Sequence, residues 1–91
     1  MKFGIWYVLS APYYKDAVER FLQTGGMPPR GIKMEGRWHA ATANKGFILA
    51  STKDVEALYQ WVASWADLIH FEIAPVLDDK EMHGVLKSMK F

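Results

Sequence analysis

An α+β domain with a single antiparallel sheet is what the sequence predicts, and three observations carry that reading. Four short runs rich in aromatic and branched residues lie at 2–10, 32–41, 46–51 and 68–77. Two stretches with apolar residues at helical spacing, 12–26 and 51–67, separate them in the order β-α-β-β-α-β. The length, 91 residues, fits one domain spanning 1–91. That order is the split βαβ, or ferredoxin-like, arrangement: the first and third strands are central, and both helices cover one face. A short tail helix, 78–91, follows the last strand.

Each element has its own local reason. "KFGIWYVLS" carries Phe3, Ile5, Tyr7 and Leu9 on one face and Trp6 and Val8 on the other, so it is a strand covered on both sides. "PYYKDAVERFLQTGG" places Tyr14, Ala17, Val18, Phe21 and Leu22 on one helical stripe, with Pro12 at its start and Gly25-Gly26 at its end. "MPPRG" is a stiff connector. "IKMEGRWHAA" alternates, with Ile32, Met34, Trp38 and Ala40 against Lys33, Glu35, Arg37 and His39. "TANK" is a turn into "GFILAS". "STKDVEALYQWVASWAD" opens on a capping-box-like Ser51-x-x-Asp54 and buries Leu58, Trp61, Val62 and Trp65. "LIHFEIAPVL" alternates Ile69, Phe71 and Ile73 against His70, Glu72 and Ala74, and Pro75 places it at a sheet edge. The tail helix starts on an Asp cap and carries Met82, Val85, Leu86 and Met89, weakened by Gly84.

The bulk composition narrows the function. Apolar residues make up 51% of the chain, with four Trp, five Phe and four Tyr. A domain this small hides only about 60–65% of its unfolded surface, so partner burial, most simply as a homodimer, is expected. Eleven Lys and Arg against ten Asp and Glu leave a net charge of +1, with no basic cluster to bind nucleic acid. No Cys is present, which rules out disulfides, thiol nucleophiles and thiolate metal sites. No apolar run approaches the roughly 20 residues of a membrane span, and the amino-terminal run reads as a strand rather than a targeting signal. A cytoplasmic location without membrane contact is expected.

Assigning faces by apolarity places Trp38, Ala40, Phe47 and Leu49 under the helices with Phe3, Ile5, Tyr7, Phe71 and Ile73. The helix-free face then carries Trp6, Val8, Arg37, His39, Ile48, Ala50, His70 and Glu72. A one-residue slip would exchange the third strand's contribution. This second face is half apolar and half ionisable, so two such sheets would stack. Their stacking would leave a cavity lined by Trp6, Arg37, His39, His70 and Glu72, the candidate ligand-binding residues. Arg37 would hold a carboxylate in a two-pronged contact, and His39 could move a proton.

The element order, the two-sided first strand and the length resemble the dimeric α/β-barrel superfamily, which includes antibiotic-biosynthesis-type monooxygenases and muconolactone-isomerase-like enzymes. "GRWHA", "GFILAST", "WADL" and "FEIAPVLDD" together resemble, more closely, a family of short bacterial proteins known as a domain of unknown function, over the chain to Asp79. That family often has an acidic residue before the Thr of "ST", where this chain has Ser51, and it implies no catalytic residues. The resemblance implies a dimeric barrel and, by fold analogy, a cofactor-free oxygenase or isomerase.

Each sharp reading has a plainer rival. His39, His70 and Glu72 suit divalent ions chemically, but without Cys or an HxxxH pattern no metal is expected. Hydrogen bonds across a dimer interface account for Arg37, His39 and Glu72 more simply than catalysis does. Trp61 and Trp65 match a core stripe better than a ligand platform. Asp78, Asp79 and Glu81 cap the tail helix. The function expected is therefore non-enzymatic binding of a small, partly apolar or anionic molecule, or of a protein partner. The alternatives are a cofactor-free monooxygenase- or isomerase-like enzyme and a structural or regulatory interaction protein. No cofactor is expected.

Overall fold

A computed structural model describes residues 1–90; Phe91, the last residue of the expected tail helix, lies outside them. The order is β1 (Lys2–Leu9), a 3-10 turn (Ala11–Tyr13), α1 (Tyr14–Thr24), β2 (Ile32–His39), β3 (Lys45–Thr52), α2 (Val55–Ala63), β4 (Ile69–Val76) and α3 (Asp79–Ser88). All four strands pair antiparallel in the order β2-β3-β1-β4. This is an α+β fold compatible with a ferredoxin-like arrangement, with β1 and β3 central.

The core lies between the sheet and α1 and α2. From the sheet come Phe3, Ile5, Tyr7, Ile32, Ile48 and Ala50, and from α2 and the turn after it Ala57, Leu58, Trp61 and Trp65. Phe21 of α1 packs on this cluster. Trp61 and Trp65 are 7% and 8% exposed, as the helical stripe requires. Arg20 of α1 grips the turn after α2: its two terminal nitrogens donate to the two Asp67 carboxylate oxygens at 2.9 and 2.8 Å, and its guanidinium lies 5.4 Å from the Trp65 ring centre.

Two caps differ in outcome. Ser51 and Thr52 belong to β3, so the expected Ser51 cap is replaced by Asp54, whose side chain accepts from the Ala57 N–H at 3.0 Å. Thr52 instead ties the strand to its surroundings, donating to Gly31 O at 2.7 Å and accepting from the Asp54 N–H at 2.9 Å. At α3 the expected Asp cap is present as a complete capping box between Asp78 and Glu81.

The faces of the β2-β3 hairpin are reversed from the sequence expectation. Trp38 does pair with Phe47, so the relative phase of the two strands is as expected. However, Phe47 pairs with Trp6, not with a helix-facing residue of β1. Trp38, Phe47 and Leu49 therefore lie on the helix-free face, and Arg37, His39, Ile48 and Ala50 lie on the helix side. The cause within β2 is a bulge between Met34 and Gly36. One extra residue at Glu35 reverses the alternation, so Ile32 and Met34 face the helices and so do Arg37 and His39. Trp38 is 59% exposed rather than part of the core.

The helix-free face is paved with flat aromatic rings. A Cβ at Gly4 would meet the Trp6 ring at 2.8 Å, and one at Gly36 would collide with the Trp38 ring. Glycine at these two positions lets each indole lie down along the strand. Phe47 bridges them, its ring centre 5.0 Å from Trp6 and 6.2 Å from Trp38.

Candidate functional site

A cavity of about 310 Å³ lies between the sheet and the two helices. Its walls are largely apolar: Ile5, Ile48 and Phe71 from the sheet, Ala17, Val18 and Phe21 from α1, and Trp61, Val62 and Trp65 from α2 and its end.

Polar groups gather at one end of the cavity. The Tyr7 hydroxyl and His39 Nδ1 share a hydrogen bond. Gly46 makes this possible: it pairs with both Tyr7 and His39 across the ladders, and a Cβ there would occupy the space of the Tyr7 hydroxyl. Burial pushes the Tyr7 hydroxyl above the ordinary tyrosine range, and the nearby Arg37 charge partly offsets this. His39 sits edge-on to Phe21, with ring centres 5.7 Å apart, and remains exposed at the rim. Asn44 closes the same end, its side-chain amide donating to Leu9 O and its backbone carbonyl accepting from the Leu9 N–H at 2.8 Å.

Arg37 also lines the cavity, but its guanidinium is engaged. Nη1 donates to Gly26 O at 2.9 Å and Nη2 to Gly25 O at 3.0 Å, and the plane lies 4.8 Å from the Phe21 ring centre. It clamps the carbonyl end of α1, where a cation is favoured, onto β2. This use displaces the expected carboxylate grip.

The five candidate residues thus divide between two faces. Arg37 and His39 share the helix-side cavity. Trp6, His70 and Glu72 lie on the opposite face, Trp6 opposite Glu72 on β4 and His70 opposite Val8. The sequence reading joined them because it missed the bulge. It also overlooked Tyr7 and Asn44. The signal for Tyr7 was present: it is the only residue with a polar tip in the run Phe3, Ile5, Tyr7, Leu9. Trp61 and Trp65 are buried and at the same time form cavity wall, so core and lining coincide. Among the described residues no three His, Asp or Glu side chains converge as a metal site would require, and no helix is long and apolar enough to cross a membrane.

The model of a domain of unknown function, DUF3303, matches residues 1–90. The chain belongs to this family. No curated protein and no solved structure matches it. The motifs that marked the resemblance fall on working parts of the DUF3303 fold. "GRWHA" supplies the glycine under Trp38, the Arg37 clamp and His39; "GFILAST" supplies Gly46, the core residues Ile48 and Ala50, and Thr52. Ser51 donates to Glu35 Oε1 at 2.8 Å, so a carboxylate is held beside it at the bulge.

Proposed function

We propose that this protein is a homodimeric binding module that holds a small, largely apolar molecule in the cavity between its sheet and helices. The observation that supports this most is the cavity itself. Its volume of about 310 Å³ is at the lower end of the roughly 300–1,000 Å³ of small-molecule sites. Its walls are apolar, with a few polar groups concentrated at one end. The Tyr7–His39 pair and Asn44 suit a ligand with one carbonyl or hydroxyl and a flat apolar body. An anionic ligand fits less well, because Arg37 already satisfies two backbone carbonyls.

The dimer is a face-to-face pairing of helix-free sheets, the arrangement of a dimeric α/β barrel. It would bury the flat layer of Trp6, Trp38 and Phe47, a contiguous apolar surface of the kind that monomers seldom leave in water. The same Tyr7–His39 pair supports an enzymatic second reading. If Tyr7 donates to His39 Nδ1, the ring's Nε2–H is left to donate to a ligand oxygen, and a proton could pass along the pair, as a cofactor-free isomerase or oxygenase would need.

Titration calorimetry with neutral aromatic carbonyl fragments tests the binding reading. Fragments should bind wild type, and affinity should fall at least tenfold in Val62→Phe, which fills the cavity, and several-fold in His39→Ala. Undiminished binding to Val62→Phe, or no binding by any fragment of this class, overturns it.

A further inference from the structure

α3 is placed unlike the other helices. It buries no residue. Met82, Val85 and Leu86 recur at i, i+3 and i+4, one apolar stripe along the helix, Met89 follows as its C-cap, and all four are exposed. The helix is nevertheless well specified, with a complete capping box at Asp78 and Glu81. Among the described residues, the side-chain bonds reaching it from the rest of the fold are the ion pairs of Lys2 with Asp78 at 3.2 Å and Glu81 at 3.5 Å. These fix its root, not its apolar side. The Cα radius of gyration is 15.2 Å, against about 12 Å for a chain of this length folded on itself, and the molecule is 50 Å long. The chain thus carries two uncovered apolar surfaces, the α3 stripe and the helix-free sheet face.

We infer that α3 is an exchanged arm, lying with its Met82–Val85–Leu86 stripe on the aromatic end of the helix-free sheet face of a second copy of this chain. The inference rests on the dimer proposed above. Interface size favours a second copy as the occupant. Four strands of eight residues present a face of about 27 by 19 Å, or roughly 500 Å². A stable interface needs about 800 Å² per partner. In a two-fold pair each copy gives one arm and receives one; the received arm lies on sheet face already counted, so the given arm, ten residues of helix covering about 150 Å², brings each copy to roughly 650 Å², nearer that requirement than the sheet face alone. Geometry agrees. α3 leaves the sheet beside Lys2, where the helix-free face holds Gly4, Ser51 and Ala74. A two-fold axis across the strands brings that end of one copy over the Trp6, Val8 and Phe47 end of the other.

The absence of Cys permits a direct test in the full chain. Leu86→Cys and Val8→Cys, both at exposed positions, are made in separate chains, mixed and oxidised. The expected product is a disulfide between the two different chains. Independently, Val85→Glu with Leu86→Glu should raise the dimer dissociation constant at least tenfold by sedimentation, with the circular dichroism of the fold unchanged. A wild-type chain that is dimeric but forms no such disulfide, and whose dimer tolerates the double Glu variant, overturns the arm and leaves the sheet pairing intact. A monomeric wild-type chain overturns both. A monomer that instead binds phosphatidylserine vesicles through α3 shows the stripe to be a membrane contact and overturns the arm as well.

Discussion

Arg37 stands out in the sequence as a candidate ligand contact, and in the fold its guanidinium is engaged by the chain itself. A guanidinium that donates to two carbonyls and covers Phe21 cannot be replaced by a smaller or less forked side chain. Arg37→Ala is expected to cost about 1–3 kcal/mol in equilibrium denaturation, the range for losing charge-assisted hydrogen bonds. Arg37→Lys should recover only part of this, because an ammonium cannot span both carbonyls in a fork. Tyr7 gives a pH dependence with a definite sign. Its folded pKa is raised by burial, so the folded state favours the protonated hydroxyl. The corresponding stability is fully present below the unfolded tyrosine value of about 10 and is lost as pH rises through the higher folded value. In ultraviolet difference titration one of the four tyrosines should ionise later than the rest, and that late step should vanish in Tyr7→Phe.

Strands and helices were largely legible, and their faces were not. Aromatic and β-branched runs located all four strands, and the stripes at Phe21 and Trp61 located the helices. Face assignment relied on one face being more apolar than the other. Here both are apolar, one through Ile5, Ile48 and Ala50, the other through Trp6, Trp38 and Phe47, so hydrophobicity could not decide the register. A single inserted residue at Glu35 then turned His39 and Arg37 inward, and a bulge of that kind leaves no pattern in one sequence beyond the nearby Gly36. Of the five candidate residues, Arg37 and His39 line the cavity, while Trp6, His70 and Glu72 lie across the sheet from it. The corrected faces predict a contrast between two tryptophans. Trp61→Ala should cost about 3–5 kcal/mol, whereas Trp38→Ala should cost less than about 1 kcal/mol of fold stability, both by chemical denaturation. Equal losses at protein concentrations low enough to dissociate any dimer would mean that Trp38 is packed under the helices after all.

At the level of the molecule, the sheet separates two surfaces of different character. The helix side holds a cavity with a polar end, suited to a small ligand. The helix-free side and α3 together offer an apolar area suited to a second copy. The four tryptophans divide evenly between these surfaces: Trp61 and Trp65 line the cavity, and Trp6 and Trp38 belong to the helix-free face, Trp6 opposite Phe47 and Glu72 and Trp38 opposite Phe47. Their indole N–H resonances therefore report each surface separately in one spectrum. The most direct measurement is a proton–nitrogen correlation titration of the isotopically labelled protein with a neutral aromatic carbonyl fragment, the indole signals assigned by single Trp→Phe variants. The expected result is movement of the Trp61 and Trp65 signals and of the His39 backbone amide, with Trp6 and Trp38 unmoved. Movement confined to Trp6 and Trp38 would contradict the assignment of the cavity as the binding site.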